Sequence, residues 1–190
     1  RRNYAIGIRL GMSGLLTRQL VRKFGADAVR PYRGQLQEAD ADTLMRWCEH
    51  LLKAESVAES AQEQQKIEIL TAAAEHIVPD LVAEIGTPPC WIIKNNRAVW
   101  QGMTSCVPGP LAAVRWRGLR VRYRLPYVAV HEALLRDSTF GDALGTYLHE
   151  LAHVFGGDSS ASFSDALTEM MAAVCGQAKV LEQLQQRWVN

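Results

Sequence analysis

The chain has 190 residues, of which 48% are hydrophobic, and its formal net charge is +1 at pH 7. This length and apolar content suffice to bury a hydrophobic core, so we expect one domain, or one catalytic unit with a helical extension. No segment is long and apolar enough to span a bilayer, which excludes a membrane-spanning helix.

The cysteines and the start of the chain bear on where the protein works. Cys48, Cys90, Cys106 and Cys175 are scattered without C-x-x-C spacing, which is typical of reduced thiols in a cytoplasmic protein rather than of a disulfide framework. No secretory signal is present. The chain begins at Arg1 instead of a methionine, so a regulatory domain upstream in the same chain stays an open expectation.

Charge is segregated along the chain. Residues 87–130 carry seven Arg or Lys and no Asp or Glu, whereas residues 36–86 carry eleven acidic residues against three basic ones. Such alternation indicates charge complementarity between packed segments of one molecule. Alternatively, the basic segments bind nucleic acid or an acidic substrate. Of these possible partners, nucleic acid is not the favoured one.

The first half of the chain is predicted to be helical. Apolar residues recur with helical spacing over residues 4–24, 38–55 and 59–78, and a proline-containing break falls at residues 31–34. A second Pro-rich break at residues 87–89 marks a boundary. We therefore expect a helical N-terminal region at 1–86 and a catalytic region at 87–190, with one continuous catalytic domain as the alternative.

Strands are predicted at the start of the second half. Residues 91–93 and 98–100 flank the turn pair Asn95-Asn96, which predicts a hairpin. Residues 115–125 alternate between apolar side chains and arginines, with a break at Gly118, which predicts a strand with one charged face.

The stretch His149-Glu150-Leu151-Ala152-His153 is the most informative part of the sequence. Two imidazoles four residues apart on a helix point the same way and can hold one Zn²⁺. The carboxylate between them can take a proton from the attacking water. The flanking residues at 146–148 and 154–155 are uncharged, so we expect this helix to be buried on most sides.

Capping signals predict where the motif helix begins and ends. Thr139 and Asp142 have the spacing of a capping box, in which the hydroxyl and the carboxylate satisfy free backbone donors at a helix start. Gly156 and Gly157 predict the end, since glycine can take the left-handed conformation that closes a helix. A second helix is predicted to start at residues 162–165, and its apolar residues recur as far as Trp188.

The motif and its uncharged surroundings resemble the active-site helix of the zincin metallopeptidases, with Phe155 at the hydrophobic position that follows the motif. The resemblance implies an α+β fold in which a small mixed sheet packs on the motif helix and a C-terminal helix, beside an N-terminal helical region. In zincins the strand before the motif helix forms the rim of the cleft. Residues 115–125 would then bind extended substrate, with arginines that select acidic side chains, unless they are a solvated edge protected by charge.

A zinc peptidase needs a third protein ligand, and the sequence offers two candidates. Glu169 shares a face of the second helix with small residues, and a glutamate so placed resembles the third ligand of the gluzincins. Asp158 is the alternative, because residues 153–158 come within one residue of the metzincin extension H-x-x-G-x-x-H/D. Asp165 is a candidate acceptor for the remaining N–H of a ligand imidazole.

Together these features predict a cytoplasmic, zinc-dependent metalloendopeptidase of gluzincin-like zincin type that hydrolyses a protein or peptide substrate. His149, His153 and Glu169 are the expected zinc ligands. Glu150 is the expected general base toward water and general acid toward the leaving amine. The alternative is a non-catalytic, zincin-like regulatory or nucleic-acid-binding module within a larger protein.

Overall fold

The structure is a computed structural model that describes residues 13–14, 16–18, 20–21, 26–40, 43–44, 46–47, 60–93, 101–108 and 114–189. The chain divides into two compact units, Arg1–Glu55 and Ser56–Asn190. This division falls well before the boundary predicted at residue 86. The reason is that the helix after Ser60 contributes its apolar face to the core of the second unit.

The described part of the first unit is helical. It contains α1 (Ala26–Val29), a 3-10 turn (Arg30–Tyr32) and α2 (Arg33–Glu38). Helices were predicted at residues 4–24 and 38–55. The described residues within 13–21 and 43–47 are helical, as predicted, and most other residues of these two ranges lie outside the described part. A break was predicted at residues 31–34, but the chain makes a tight helical turn there. Proline is compatible with the start of this turn, because the backbone N–H that it lacks would have no hydrogen-bond partner at that position. A small core holds this unit together, formed by Leu16, Val29, Leu36 and Leu44.

Two helices open the second unit. The helix predicted at 59–78 is confirmed as α3 (Ala61–Ile77), which begins at a capping box between Ser60 and Glu63. The next helix, α4 (Pro79–Ile85), begins with a proline at a position that needs no backbone donor. Burial follows the helical period of α3, whose apolar side chains enter the core at Ile67, Ile69, Leu70, Ala73, Ala74 and Ile77.

An ion pair between buried Glu63 and half-exposed Arg136 supports the start of α3. The Glu63 side chain is 5% exposed and accepts hydrogen bonds from Ser60 N at 2.9 Å and Arg136 Nε at 2.8 Å. The Ser60 backbone bond, and to a lesser degree Arg136, hold the pKa of Glu63 below its usual value against the opposing effect of burial. A carboxyl with a lowered folded-state pKa stabilises the fold above its unfolded pKa, and this contribution disappears as pH falls through the folded pKa.

We expect Glu63→Gln to lower the free energy of unfolding by about 1 kcal/mol at neutral pH, a modest value because half-exposed Arg136 is screened by solvent. The amide keeps much of the capping geometry but loses the charge. Urea unfolding measures the difference, which should shrink toward zero below the usual carboxyl pKa. Glu68→Gln on the exposed face of α3 is the control. A loss that is the same at acid and neutral pH would contradict the assignment.

Short strands follow α4. They are β1 (Cys90–Ile93), β2 (Gly102–Thr104), β3 (Val107–Pro108), β4 (Arg115–Trp116), β5 (Leu119–Arg120), β6 (Tyr123–Arg124) and β7 (Val128–His131). The central sheet has the order β1-β7-β2, with β1 parallel and β2 antiparallel to β7. The predicted hairpin turn and its second strand fall in residues 94–100, outside the described residues.

The strand predicted at 115–125 consists of three two-residue strands. β4 and β5 form a hairpin whose turn residues, Arg117 and Gly118, have φ values of 48° and 84°. Glycine takes this left-handed conformation without strain, and the chain turns at the break that was predicted at Gly118. β6 pairs with β3 instead. The predicted alternation is confirmed, since Trp116, Val121 and Leu125 are buried while the five arginines are exposed.

Four helices complete the second unit: α5 (Glu132–Arg136), α6 (Phe140–Ala152), α7 (Ala161–Gly176) and α8 (Ala178–Val189). The second helix predicted near the C-terminus is therefore two helices, which separate at Gln177. The N-cap of α7 is Ser160 and not Ser162, where the start was predicted. The Ser160 side chain accepts a hydrogen bond from Phe163 N. Glycine at 176 weakens a continuous helix at this point.

The second unit has a mixed α+β architecture. α6 packs against β2, β7, α3 and α7, and α8 packs against α3. The largest fully buried side chains of this core include Tyr127, Tyr147 and Phe155. Within the described part of the chain, no helix has the length and apolar content needed to cross a membrane.

Candidate metal centre

Helix α6 carries the His-Glu-x-x-His motif, and its start is the predicted one. Thr139 Oγ1 accepts a hydrogen bond from Asp142 N, and the Asp142 carboxylate accepts one from Thr139 N, so the capping box is confirmed. His149 lies in the last turn. His153 follows the helix with φ −61° and ψ −14°, which is still helical. Both imidazoles therefore lie on one side of the helix.

The end of α6 differs from the prediction. The helix stops at Ala152, turns continue to Phe155, and neither Gly156 nor Gly157 has a positive φ. Glycine is needed at 156 for close approach instead, because a Cβ there would collide with Ser160 Oγ. This tight turn directs the chain back toward the motif within a few residues.

The returning chain brings Asp158 to the two imidazoles. Asp158 Oδ1 lies 3.2 Å from His149 Nε2 and 3.5 Å from His153 Nε2. Ligand atoms that are about 2.0–2.1 Å from a tetrahedral zinc ion lie about 3.3–3.4 Å from one another. The distances from Asp158 to the two imidazole nitrogens are therefore close to the ligand spacing of a zinc site, and nitrogen and carboxylate oxygen are ligands that zinc accepts.

Contacts behind the rings orient them. His153 Nδ1 lies 3.1 Å from the Gly156 carbonyl oxygen. Because a carbonyl only accepts, this contact favours the tautomer with its proton on Nδ1, which leaves Nε2 available as a metal ligand. Phe163 of α7 packs against both rings, with centroid distances of 5.0 Å to His149 and 4.8 Å to His153. Metal sites in proteins generally depend on such outer contacts to hold their ligands in place.

Glu150 is buried beside the imidazoles. Its side chain is 7% exposed, and its Oε2 lies 3.9 Å from His153 Nε2. One ligand atom each from His149, Glu150 and His153 lie within 4.8 Å of one another. Burial, with a smaller effect from Asp158, raises the pKa of Glu150 to about 7. A carboxyl group with a pKa near neutrality can both accept and return a proton.

The cluster is open to solvent on one side. The Asp158 side chain is 72% exposed and that of His149 43%, whereas that of His153 is only 14% exposed. The cluster is therefore accessible from the side of Asp158 and His149, while His153 and Glu150 form the interior wall.

No protein-family model, curated protein or solved structure matches this chain. The function is therefore inferred from the side chains of the site.

The other predicted site residues do not contact the imidazoles. Glu169 Oε2 accepts a hydrogen bond from Arg117 Nη1 at 2.9 Å, and both side chains are nearly half exposed. Asp165 is exposed and, within the described residues, makes no hydrogen bond to either ring. The acceptor role predicted for Asp165 is filled at His153 by a backbone carbonyl. Of the two candidate third ligands, Asp158 is the one that meets the histidines, and Glu169 is not.

Strand β2 is a part of the site that the sequence did not reveal. A Cβ at Gly102 would lie 2.7 Å from Thr146 Cγ2 and 2.9 Å from Glu150 Oε1, so the strand passes directly over α6 at Glu150. β2 is also an edge strand of the central sheet in the described residues. A glycine beside a short apolar run was the one available signal for this close approach.

We expect Gly102→Ala to lower the free energy of unfolding by about 1–3 kcal/mol, the usual cost of overpacking, or to displace the Glu150 side chain and so reduce activity. Calorimetric unfolding and a peptide-cleavage assay measure the two outcomes. Gly145→Ala on α6 is the matched control, because its Cβ meets nothing within 4 Å. Unchanged stability together with unchanged cleavage would contradict the close approach.

Proposed function

We propose that the chain is a zinc-dependent metalloendopeptidase of zincin type. The observation that carries this proposal is the convergence of His149 Nε2 and His153 Nε2 on Asp158 Oδ1, at 3.2 and 3.5 Å, beside buried Glu150. Three protein ligands leave a position free for chemistry, as in catalytic rather than structural zinc sites.

Each residue of the site has a role in this proposal. His149, His153 and Asp158 would hold the ion, and a zinc ion bound there would supply a Lewis acid that polarises the substrate carbonyl and activates water. Glu150 takes the proton from the attacking water and returns it to the leaving amine, for which its raised pKa is suited. The Gly156 carbonyl keeps the His153 lone pair directed at the site.

The surroundings of Glu150 support an extended peptide as the substrate. Among the described strands β2 lies at the edge of the sheet beside this carboxylate, and edge strands bind extended chains through backbone hydrogen bonds. The strand at 115–125, which was expected to do this, has backbone donors already in use: Arg122 N and Tyr123 N both donate to the Val154 carbonyl. We therefore assign substrate pairing to β2.

The proposed ligand set departs from the gluzincin arrangement. The third ligand here is an aspartate in the turn after the motif, five residues beyond His153, rather than a glutamate on the next helix. The proposal still assigns the chain to the zincins, because that assignment depends on the motif helix and its two histidines and not on the third ligand. Within the described residues Cys90, Cys106 and Cys175 form no disulfide, and the proposal places the protein in a reducing compartment such as the cytoplasm.

Metal removal tests the proposal. We expect the purified chain to bind close to one zinc per molecule and to cleave members of a random peptide mixture. A chelator should abolish cleavage, and added Zn²⁺, but not Mg²⁺, should restore it, because magnesium prefers an octahedral oxygen site. Mass spectrometry of the peptides gives the readout. Cleavage that persists after zinc has been removed would contradict the mechanism.

A further inference from the structure

Five exposed arginines lie in the segment that precedes β7, on its short strands or in the turns between them: Arg115, Arg117, Arg120, Arg122 and Arg124. We call this group the arginine face. Residues 87–130, which contain it, include no acidic residue at all. The face is therefore the most concentrated positive charge on the described part of the second unit.

Most of the arginine face lacks a countercharge in the described residues. Arg117 pairs with Glu169, and no other arginine of the face lies within 4.0 Å of a described carboxylate. The complementarity between packed segments that the charge pattern suggested is thus absent here. Moreover, Arg115 and Arg120 are direct cross-strand partners. Like charges opposite each other destabilise a strand pair, and an anionic ligand would relieve that repulsion.

The arginine face adjoins the candidate metal centre. Arg122 N and Tyr123 N donate to the Val154 carbonyl at 2.8 and 3.0 Å, and Val154 follows His153 directly. Beneath the face, Trp116 packs against Phe155 at a centroid distance of 5.7 Å. The backbone that carries the arginines is therefore fixed to the turn that carries the zinc ligands.

The arginines suit an acidic chain through their number within a short segment rather than through a regular repeat. Arg120, Arg122 and Arg124 are alternate residues, but they do not share one continuous strand, since Arg122 N and Tyr123 N donate to the same carbonyl. Single-stranded nucleic acid is less suitable, because its binding relies on exposed aromatic rings that stack on bases. Trp116 is only 4% exposed and faces the core.

We propose that the arginine face binds an acidic segment of the peptide substrate while the scissile bond lies at the metal centre. This inference rests on the proposed function and specifies its substrate class: a peptide with several Asp or Glu residues on one side of the cleavage site. Recognition occurs through side-chain charge, since the backbone donors of Arg122 and Tyr123 are already occupied.

Binding can be measured apart from cleavage. The probe is a fluorescein-labelled decapeptide with alternating Glu, compared with the same peptide carrying Gln, on the zinc-loaded full chain with Glu150→Gln. We expect Arg120→Glu combined with Arg122→Glu to weaken binding of the acidic peptide about tenfold or more at low salt, and to leave the Gln peptide unaffected. Lys179→Glu combined with Arg187→Glu on exposed positions of α8 is the charge-matched control.

Each outcome decides a separate point. Equal affinity for the Glu and Gln peptides, or equal losses in the test and control variants, would overturn the inference. So would tighter binding of single-stranded DNA of the same charge, which would assign the face to nucleic acid. Selective binding of the acidic peptide without its hydrolysis by the unmodified chain would support the arginine face and contradict the proposed peptidase activity instead.

Discussion

Replacing Glu150 with glutamine is expected to lower kcat/KM for peptide cleavage by about 10²–10⁴-fold, the usual contribution of a general acid-base group. Glutamine has nearly the same shape but cannot take up a proton. The Glu150 side chain is buried beside the imidazoles, where solvent has little access to take over its role. Zinc content should stay at the level of the unmodified chain, because Glu150 is not among the proposed ligands.

Paired measurements separate this catalytic role from a structural one. Cleavage of a fluorogenic peptide and zinc analysis are performed on the same preparation, with circular dichroism to show that the fold persists. Glu182→Gln on the exposed face of α8 provides a control for the loss of one carboxylate. Full cleavage by Glu150→Gln would rule out the proposed base. Loss of zinc along with activity would instead make Glu150 a ligand.

The second large effect is expected at Asp158. Asp158→Ala should weaken zinc binding by more than about 100-fold, because loss of a ligand costs more than loss of an outer contact, which itself costs about 10–100-fold. Asp158 is 72% exposed, so its removal leaves no cavity, and the fold should persist. The free energy of unfolding without metal should change little for the same reason.

Glu169→Ala is the matched variant for this measurement. Glu169 was the ligand favoured by sequence, but it pairs with Arg117 on the surface, so its removal should leave zinc affinity unchanged. Competition with a chromogenic chelator gives both dissociation constants. The opposite pattern, with weak binding after Glu169→Ala and normal binding after Asp158→Ala, would restore the gluzincin-like ligand set.

The parts of the site that sequence predicted are those determined over one or two helical turns. Four-residue spacing alone places His149 and His153 on one side of α6, and the capping box at Thr139 requires only local hydrogen bonds. The alternation at 115–125 likewise predicted which side chains are buried. In each case the interacting groups are close in sequence, so a periodic pattern contains the information.

The parts that sequence did not predict depend on tertiary contacts. Asp158 rather than Glu169 lies beside the imidazoles because the turn at Gly156 brings the chain back toward them. The approach of β2 to Glu150 joins residues far apart in the chain. The division after Glu55, rather than at residue 86, reflects the packing of α3 in the second unit. Such contacts depend on how the chain folds back on itself, so local sequence patterns cannot predict them.

The claim on which the account depends is that one zinc ion is bound by His149, His153 and Asp158. Crystals of the zinc-loaded chain, measured on both sides of the zinc absorption edge, test it directly. We expect a single anomalous peak about 2.0–2.2 Å from His149 Nε2, His153 Nε2 and an Asp158 oxygen. Anomalous density elsewhere, or none between these side chains at saturating zinc, would contradict it.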